Sequence, residues 1–185
     1  MAGRRTDTRE RIEQVALELF AERGYDKTTL QEVAERLQIT RPALYYHFRT
    51  KEAILGSVVD RIGESIDELV GWARGQPATV ESRREILRRI SELLEDQWRP
   101  LFRFAQVNQG AMRDLPAGER LRAGVVSMLS LLAMPGAGAI KQFEARLAVF
   151  AVVLGSVPFL FDIGLDESER AAVALEVATK LISDD

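Results

Sequence analysis

The 185-residue chain contains no cysteine and a single histidine, His47. The missing cysteines exclude disulfides, thiolate zinc sites and cysteine nucleophiles. One histidine excludes a multi-histidine metal centre, and any Ser-His-Asp triad would have to run through that ring. No metal or other cofactor is expected. The sequence also lacks a Gly-rich phosphate loop and any ligand set at metal spacing, so it does not read as an enzyme; a helical enzyme is the remote alternative. Long apolar runs are missing too. The most apolar stretch, Leu147 to Phe161, falls short of the ~20 residues that a membrane span needs and contains Gly155, Ser156 and Pro158. The start of the chain is charged, without the apolar core of a secretory signal. No membrane partner is expected, and a cytoplasmic location is the default.

Positive charge is in short supply: 25 Lys and Arg stand against 28 Asp and Glu, for a net charge of −3. Its distribution matters more than its sum, because binding phosphate requires a local basic surface and not a basic whole protein. Residues 1–51 carry ten basic and eight acidic side chains, and the rest carries fifteen against twenty. The N-terminal excess is small. Hydrophobic residues at 46% and charged residues at 29% are ordinary for a folded domain, and a chain of this length buries a core without staples.

Helical periodicity runs through nearly the whole chain, and no segment shows strand alternation bounded by hairpin turns. Ile12, Val15, Ala16, Leu19 and Phe20 form one stripe, and Gly24 ends that helix. Thr29-Leu-Gln-Glu32 is a capping box with Leu30, Val33, Ala34 and Leu37 behind it. Thr40 caps a short helix over 41–48 with Pro42 in its first turn, and Thr50 caps a longer one from Lys51 through Leu69. Further helices are expected near 81–98, 99–113, 116–134 and 140–161. A second capping box, Asp166-Glu-Ser-Glu169, opens a last helix through Leu181. The fold class is all-α: a three-helix head with a helix-turn-helix over residues 1–50, and a larger helical body over residues 51–185.

Residues 29–48 carry the functional signal. Leu44 and Phe48, at i and i+4, anchor the second short helix in a core. Pro42, Ala43 and Tyr46 then point outward, with Tyr45 on the flank. That face is small, cyclic and aromatic with little charge, which suits a DNA major groove: small residues permit close approach, and rings contact thymine methyls. Arg41, at the helix start, is placed to reach a guanine edge.

The run Phe20-Ala-Glu-Arg-Gly24-Tyr25, the pair Val33-Ala34, the stretch Ile39-Thr40-Arg41-Pro42-Ala43-Leu44-Tyr45-Tyr46-His47-Phe48 and the pair Lys51-Glu52 resemble the TetR family of bacterial regulators over about residues 8–56. The resemblance implies a homodimer with a DNA-binding head and a helical body that binds a small molecule and pairs through its last two helices. It places phosphate contacts on Thr29, Tyr45, Tyr46 and Lys51, base reading on Arg41, Pro42 and Ala43, and His47 near the backbone. One departure stands out: Gln38 occupies a turn position where the family usually has glycine. If that position needs positive φ, glutamine costs about 1 kcal/mol there.

In the body, the helix after Arg146 is apolar nearly all round, and the last helix carries two stripes, Ala171-Leu175-Ala178-Ile182 and Val173-Val177-Leu181. Excess apolar surface of this kind suits a two-fold dimer seam, with Phe150, Leu154, Val157, Phe161, Leu175, Ala178 and Ile182 as candidates; the alternative is closure of a monomeric core. An effector cavity is expected from Trp98, Phe102, Phe104, Gln106, Val107, Asn108, Met112, Met128 and Phe143, implying a mostly hydrophobic compound. The function these features predict is a repressor released from a palindromic operator by a small hydrophobic effector. The alternative is a DNA-binding regulator without a ligand, acting as an activator or through partner proteins.

Overall fold

The computed structural model describes residues 2–108, 118–132, 136–156 and 164–182, and every regular element among them is helical. In chain order these are α1 (Ala2–Arg23), α2 (Leu30–Arg36), α3 (Arg41–His47), α4 (Lys51–Arg74), α5 (Val80–Leu93), a π-helical turn (Leu94–Trp98), α6 (Arg99–Val107), α7 (Gly118–Leu129), α8 (Ala139–Gly155) and α9 (Glu167–Leu181). The helix starts are written in short-range chemistry. Thr29 and Asp166 each close a capping box with the glutamate three residues on. The Thr40 side chain accepts from the Ala43 amide, and the Thr50 hydroxyl accepts from that of Ala53 at 3.1 Å. Gly24, at φ 91°, terminates α1 by donating to the Phe20 carbonyl at 3.0 Å. The expected single break at residue 98 is instead a π turn between α5 and α6, a feature that periodicity alone does not reveal.

The chain forms two compact units, Met1–Ile62 with Pro100–Leu121 and Gly63–Arg99 with Arg122–Asp185. The first unit therefore holds more than residues 1–50. Its core gathers Ile12, Ala16, Leu19 and Phe20 of α1, Leu30 and Val33 of α2, Leu44 of α3, Phe48 just after it, and Ile54, Leu55 and Val58 of α4, all buried. Phe104 of α6 completes it: its ring lies 5.9 Å from both Phe20 and Tyr25, while Phe20 and Tyr25 stand 5.0 Å apart, all edge to face. Such edge-to-face pairs add to the energy of area burial.

Polar bonds tie the same unit together. Glu13 is only 2% exposed. It accepts from the Ser57 hydroxyl at 2.6 Å, pairs with Arg61 at 2.9 Å and lies 3.5 Å from Arg9. Arg9 also donates to Ser57 and lies 4.7 Å over the Phe48 ring. A buried carboxylate is tolerated only with this degree of satisfaction. Asn108, just after α6, accepts from the Tyr25 amide at 2.7 Å and donates to the Phe20 carbonyl at 3.0 Å.

In the second unit α9 packs along α8, and α5 lies against both. The contact face of α9 is its small-residue stripe, Ala171, Ala174 and Ala178, all buried. A Cβ placed on Gly155 of α8 would stand 2.2 Å from the Ala174 methyl, so glycine is what lets the two backbones approach. The Gly155 carbonyl accepts from Arg170 Nε at 2.9 Å. Among the described residues no helix is long and apolar enough to cross a membrane.

Candidate nucleic-acid interface

The site is built from two short capped helices and the turn between them. Leu44 is 0% exposed and Phe48 2%, which fixes the roll of α3 about its axis. At ~100° per residue the opposite face carries Pro42, Ala43 and Tyr46. All three are exposed, Tyr46 at 70%. Tyr45 is half-buried on the flank, where Arg41 lies over its ring at 5.1 Å and donates to its hydroxyl at 3.2 Å. Arg41 is thereby held against Tyr45 on the flank of α3. His47 is half-buried with its ring edge-on to Tyr46 at 5.3 Å.

Thr29 is exposed at the start of α2 and donates its hydroxyl to Glu32 at 2.9 Å. Hydrogen bonds from Thr29, the backbone amide first, hold the Glu32 carboxyl below its ordinary range. The turn between α2 and α3 passes through Gln38 at φ 55°, the left-handed conformation that disfavours every side chain except glycine's hydrogen. The strain anticipated at that residue is present.

Lys51 stands differently from the sequence expectation of a phosphate contact alone. It is half-buried, its ammonium donates to the Tyr25 carbonyl, and it lies 4.4 Å over the Tyr25 ring. Tyr25 in turn donates to Glu52 at 2.8 Å. Burial first, and then that bond to Glu52, push the Tyr25 phenol above its ordinary range. Lys51 is thus a tie between α4 and the turn after α1. An ammonium has three donors, and the carbonyl takes one. Sequence reasoning used Tyr25 only as part of a family signature and missed Glu13 altogether. A glutamate on the apolar side of an amphipathic helix was the available signal.

The candidate effector residues do not converge on one cavity. Phe104 and Asn108 are committed to the core of the first unit, as described. Val107 and Phe143 are 57% and 68% exposed, and Gln106 is exposed. Trp98 and Met128 are buried in the core of the second unit, and Phe102 is half-buried. Met112 lies outside the described residues. None of the other eight is among the described residues that line the cavity of the second unit. Among the described residues no cluster of His, Asp or Glu is arranged to hold a metal ion.

For the candidate dimer seam, Ala178 and Ile182 require correction. They are 0% and 4% exposed within the single chain, because the small stripe of α9 turns inward against α8. Leu154 and Leu175 are half-buried, Phe150 is 47% exposed, and Val157 and Phe161 lie outside the described residues. The surface left open carries Ile140, Phe143, Leu147 and Phe150 of α8, with Val173 and Val177 of α9.

Residues 12–58 match the family described as bacterial regulatory proteins of the tetR family. The HTH-type transcriptional regulator AcrR of Shigella flexneri is 36% identical over 90 residues, 46% of this chain and 41% of that protein. An HTH-type transcriptional repressor of Mycobacterium tuberculosis is 36% identical over 59 residues, 32% of this chain and 31% of that one. The matched stretches thus span well under half the length of these relatives. Across 96% of both chains the fold is that of PfmR, a TetR family transcriptional regulator from Thermus thermophilus, with a TM-score of 0.66 at 19% identity. Over residues 12–58 the chain is thus similar to the tetR family of bacterial regulatory proteins, and its fold is that of solved TetR family regulators.

Proposed function

We propose that the protein is a DNA-binding transcriptional regulator, acting as a homodimeric repressor whose α3 enters the major groove of a roughly palindromic operator. One observation carries the reading: α3 keeps Leu44 and Phe48 buried while Pro42, Ala43 and Tyr46 stand open. In this reading Arg41, steadied by Tyr45, reads a base edge, Tyr46 and His47 meet the backbone, and Thr29 receives a phosphate at the amide-rich start of α2. Lys51 adds a phosphate contact with the donors that Tyr25 leaves over. The named relatives, transcriptional regulators rather than enzymes, support the same reading, which puts the protein in the cytoplasm with the DNA.

Dimerisation rests on the exposed apolar face of α8 and α9. Ile140, Phe143, Leu147 and Phe150 follow one another at spacings of three, four and three, which is one helical stripe, and such a stripe pairs most simply with its own copy across a two-fold axis. Phe150→Glu should convert a sedimenting dimer to a monomer; a monomeric wild type at micromolar concentration would remove the seam. Two-fold pairing sets the half-sites about 34–36 Å apart or a multiple of that.

Selection of bound sequences from random duplexes tests the whole reading at once. The expected result is an inverted repeat whose recovery is lost with Tyr46→Ala and whose base preference relaxes with Arg41→Ala. Failure to enrich any sequence would sink it. A small hydrophobic effector that binds the body, shifts the dimer toward a form with wrongly spaced heads and so releases the operator is part of the proposal, because only differential affinity for two states moves such an equilibrium.

A further inference from the structure

The helix α3 is seven residues long, and a helix of that length has little stability of its own in water. Its roll and tilt are therefore set from outside. Thr40 caps its start, Leu44 anchors its middle, and Phe48 ends it. At Phe48 the backbone turns extended, with φ −140° and ψ 129°, while its amide still donates to the Leu44 carbonyl at 2.9 Å and its side chain is buried. A charged group lies against that ring. The Arg9 guanidinium of α1 stands 4.7 Å from the ring centroid, within the range of a cation–π contact.

The same guanidinium is tied to α4. Arg9 donates to the Ser57 hydroxyl through Nε at 3.0 Å and through Nη2 at 2.8 Å. Ser57 donates in turn to the buried Glu13 of α1 at 2.6 Å, and Glu13 pairs with Arg61 of α4 at 2.9 Å. One side chain of α1 thus touches both the end of α3 and α4, and all of these residues belong to the first unit. The Arg9 side chain is 51% exposed, so burial does not explain where it sits. An arginine pinned at a surface gives up rotamer freedom, and here a ring and a hydroxyl on two other elements hold it.

We propose that Arg9 is a positioning residue for DNA binding: it joins Phe48 to Ser57, and so fixes the angle at which α3 meets a duplex, without touching the duplex itself. The consequence for DNA rests on the proposed function, but the clamp does not. The rival role for an exposed arginine is a phosphate contact, and chemistry separates the two. A phosphate needs a positive charge within reach, which lysine also supplies. The clamp needs a planar group that lies on a ring while its N–H groups donate to a hydroxyl, which the ammonium of lysine does not reproduce. The Glu13 carboxylate, 3.5 Å from Arg9, offsets part of the charge that a phosphate would meet.

Arg9→Gln and Arg9→Lys test this in the full chain, by hydrogen exchange without DNA and by titration of a selected duplex at several salt concentrations. In the free protein the Leu44 and Phe48 amides, which donate within α3, should exchange about tenfold faster in both variants, while the Val33 amide of α2 keeps its rate. At a temperature where all three proteins are folded, duplex affinity should fall about tenfold in both variants, in proportion to the fraction with α3 correctly set. The slope of log affinity against log salt should stay as in wild type, which a mere loss of stability or of a phosphate contact does not produce together with that fall. Affinity restored by lysine, or a slope shallower by roughly 0.9 in Arg9→Gln, makes Arg9 a phosphate contact and overturns the proposal. Wild-type affinity in both folded variants overturns it too, as do unchanged exchange rates at Leu44 and Phe48. If Arg9→Gln does not fold, Arg9→Lys decides by the same two measurements. Faster exchange in variants of a chain that selects no duplex supports the clamp while defeating the regulator reading.

Discussion

The two units of the molecule hold themselves together by different means. In the first, directional polar bonds do much of the positioning. Asn108 grips the Tyr25 amide and the Phe20 carbonyl, and Glu13 gathers Ser57, Arg61 and Arg9. In the second, the α8–α9 pair relies on steric fit between Gly155 and an alanine stripe. Directional bonds fix orientation, which a surface that must match a duplex requires. Close fit instead brings two helices near enough to present one continuous outer face. The two kinds of bonding predict two kinds of failure.

The largest effect is expected at Leu44. Leu44→Ala empties the anchor of α3 and should cost about 2–5 kcal/mol. Urea denaturation measures the loss, and duplex binding should fall with it because the helix is no longer held at one roll angle. Gly155→Ala attacks the other unit: the new methyl has no room against Ala174, and overpacking of this sort costs about 1–3 kcal/mol. A variant as stable as wild type would show that the α8–α9 approach is softer than the 2.2 Å separation implies. Asn108→Ala removes three side-chain hydrogen bonds, to the Tyr25 amide and to the Phe20 and Phe104 carbonyls, and takes from the Tyr25 amide the acceptor it uses, for about 1–3 kcal/mol.

A gain is expected at Gln38. Replacement by glycine relieves the left-handed strain at φ 55° and should add about 1 kcal/mol, somewhat reduced by the greater freedom of the unfolded chain. An unchanged or lower denaturation midpoint would mean that the Gln38 side chain has compensating contacts.

The smallest effect concerns acid. The capping carboxyls Glu32 and Asp166, one in each unit, are held below their ordinary values of 4.5 and 3.8 by hydrogen bonds, chiefly from the backbone of Thr29 and of Glu169. Their charged forms are favoured in the folded state, so each contribution is complete above those ordinary values and is lost as pH falls from there through the lowered ones. Both lie in solvent, and the effect should be modest. Comparing denaturation at pH 7 and pH 3, Glu32→Gln should show a smaller acid loss than wild type; an equal loss would exclude Glu32 as a source of the acid dependence.

The legible parts of this protein are the ones decided within a few residues. Both capping boxes, the Thr40 and Thr50 caps, the Gly24 stop and the inward turn of Leu44 and Phe48 depend on neighbours no more than four positions away. The exposed face of α3 was legible for the same reason, whereas the strain at Gln38 was expected only from the resemblance to a family with glycine at that position. The last helix was not, since its two apolar stripes satisfy the same periodicity. Side-chain size broke the tie: alanines can meet Gly155 closely, and valines cannot, so Val173 and Val177 face outward while Ala178 and Ile182 are covered.

By itself, the order of amino acids determined an all-helical chain, the position of its helix starts and the orientation of α3, because hydrogen bonds to the nearest amides and a repeat of 3.6 residues are local physics. Only the tertiary structure decided that Asn108 serves the Tyr25 turn 83 positions away, that Lys51 rests on the same tyrosine, and that Arg9 joins Phe48 to Ser57. Each of these joins segments distant in the chain, and their meeting depends on how whole helices pack.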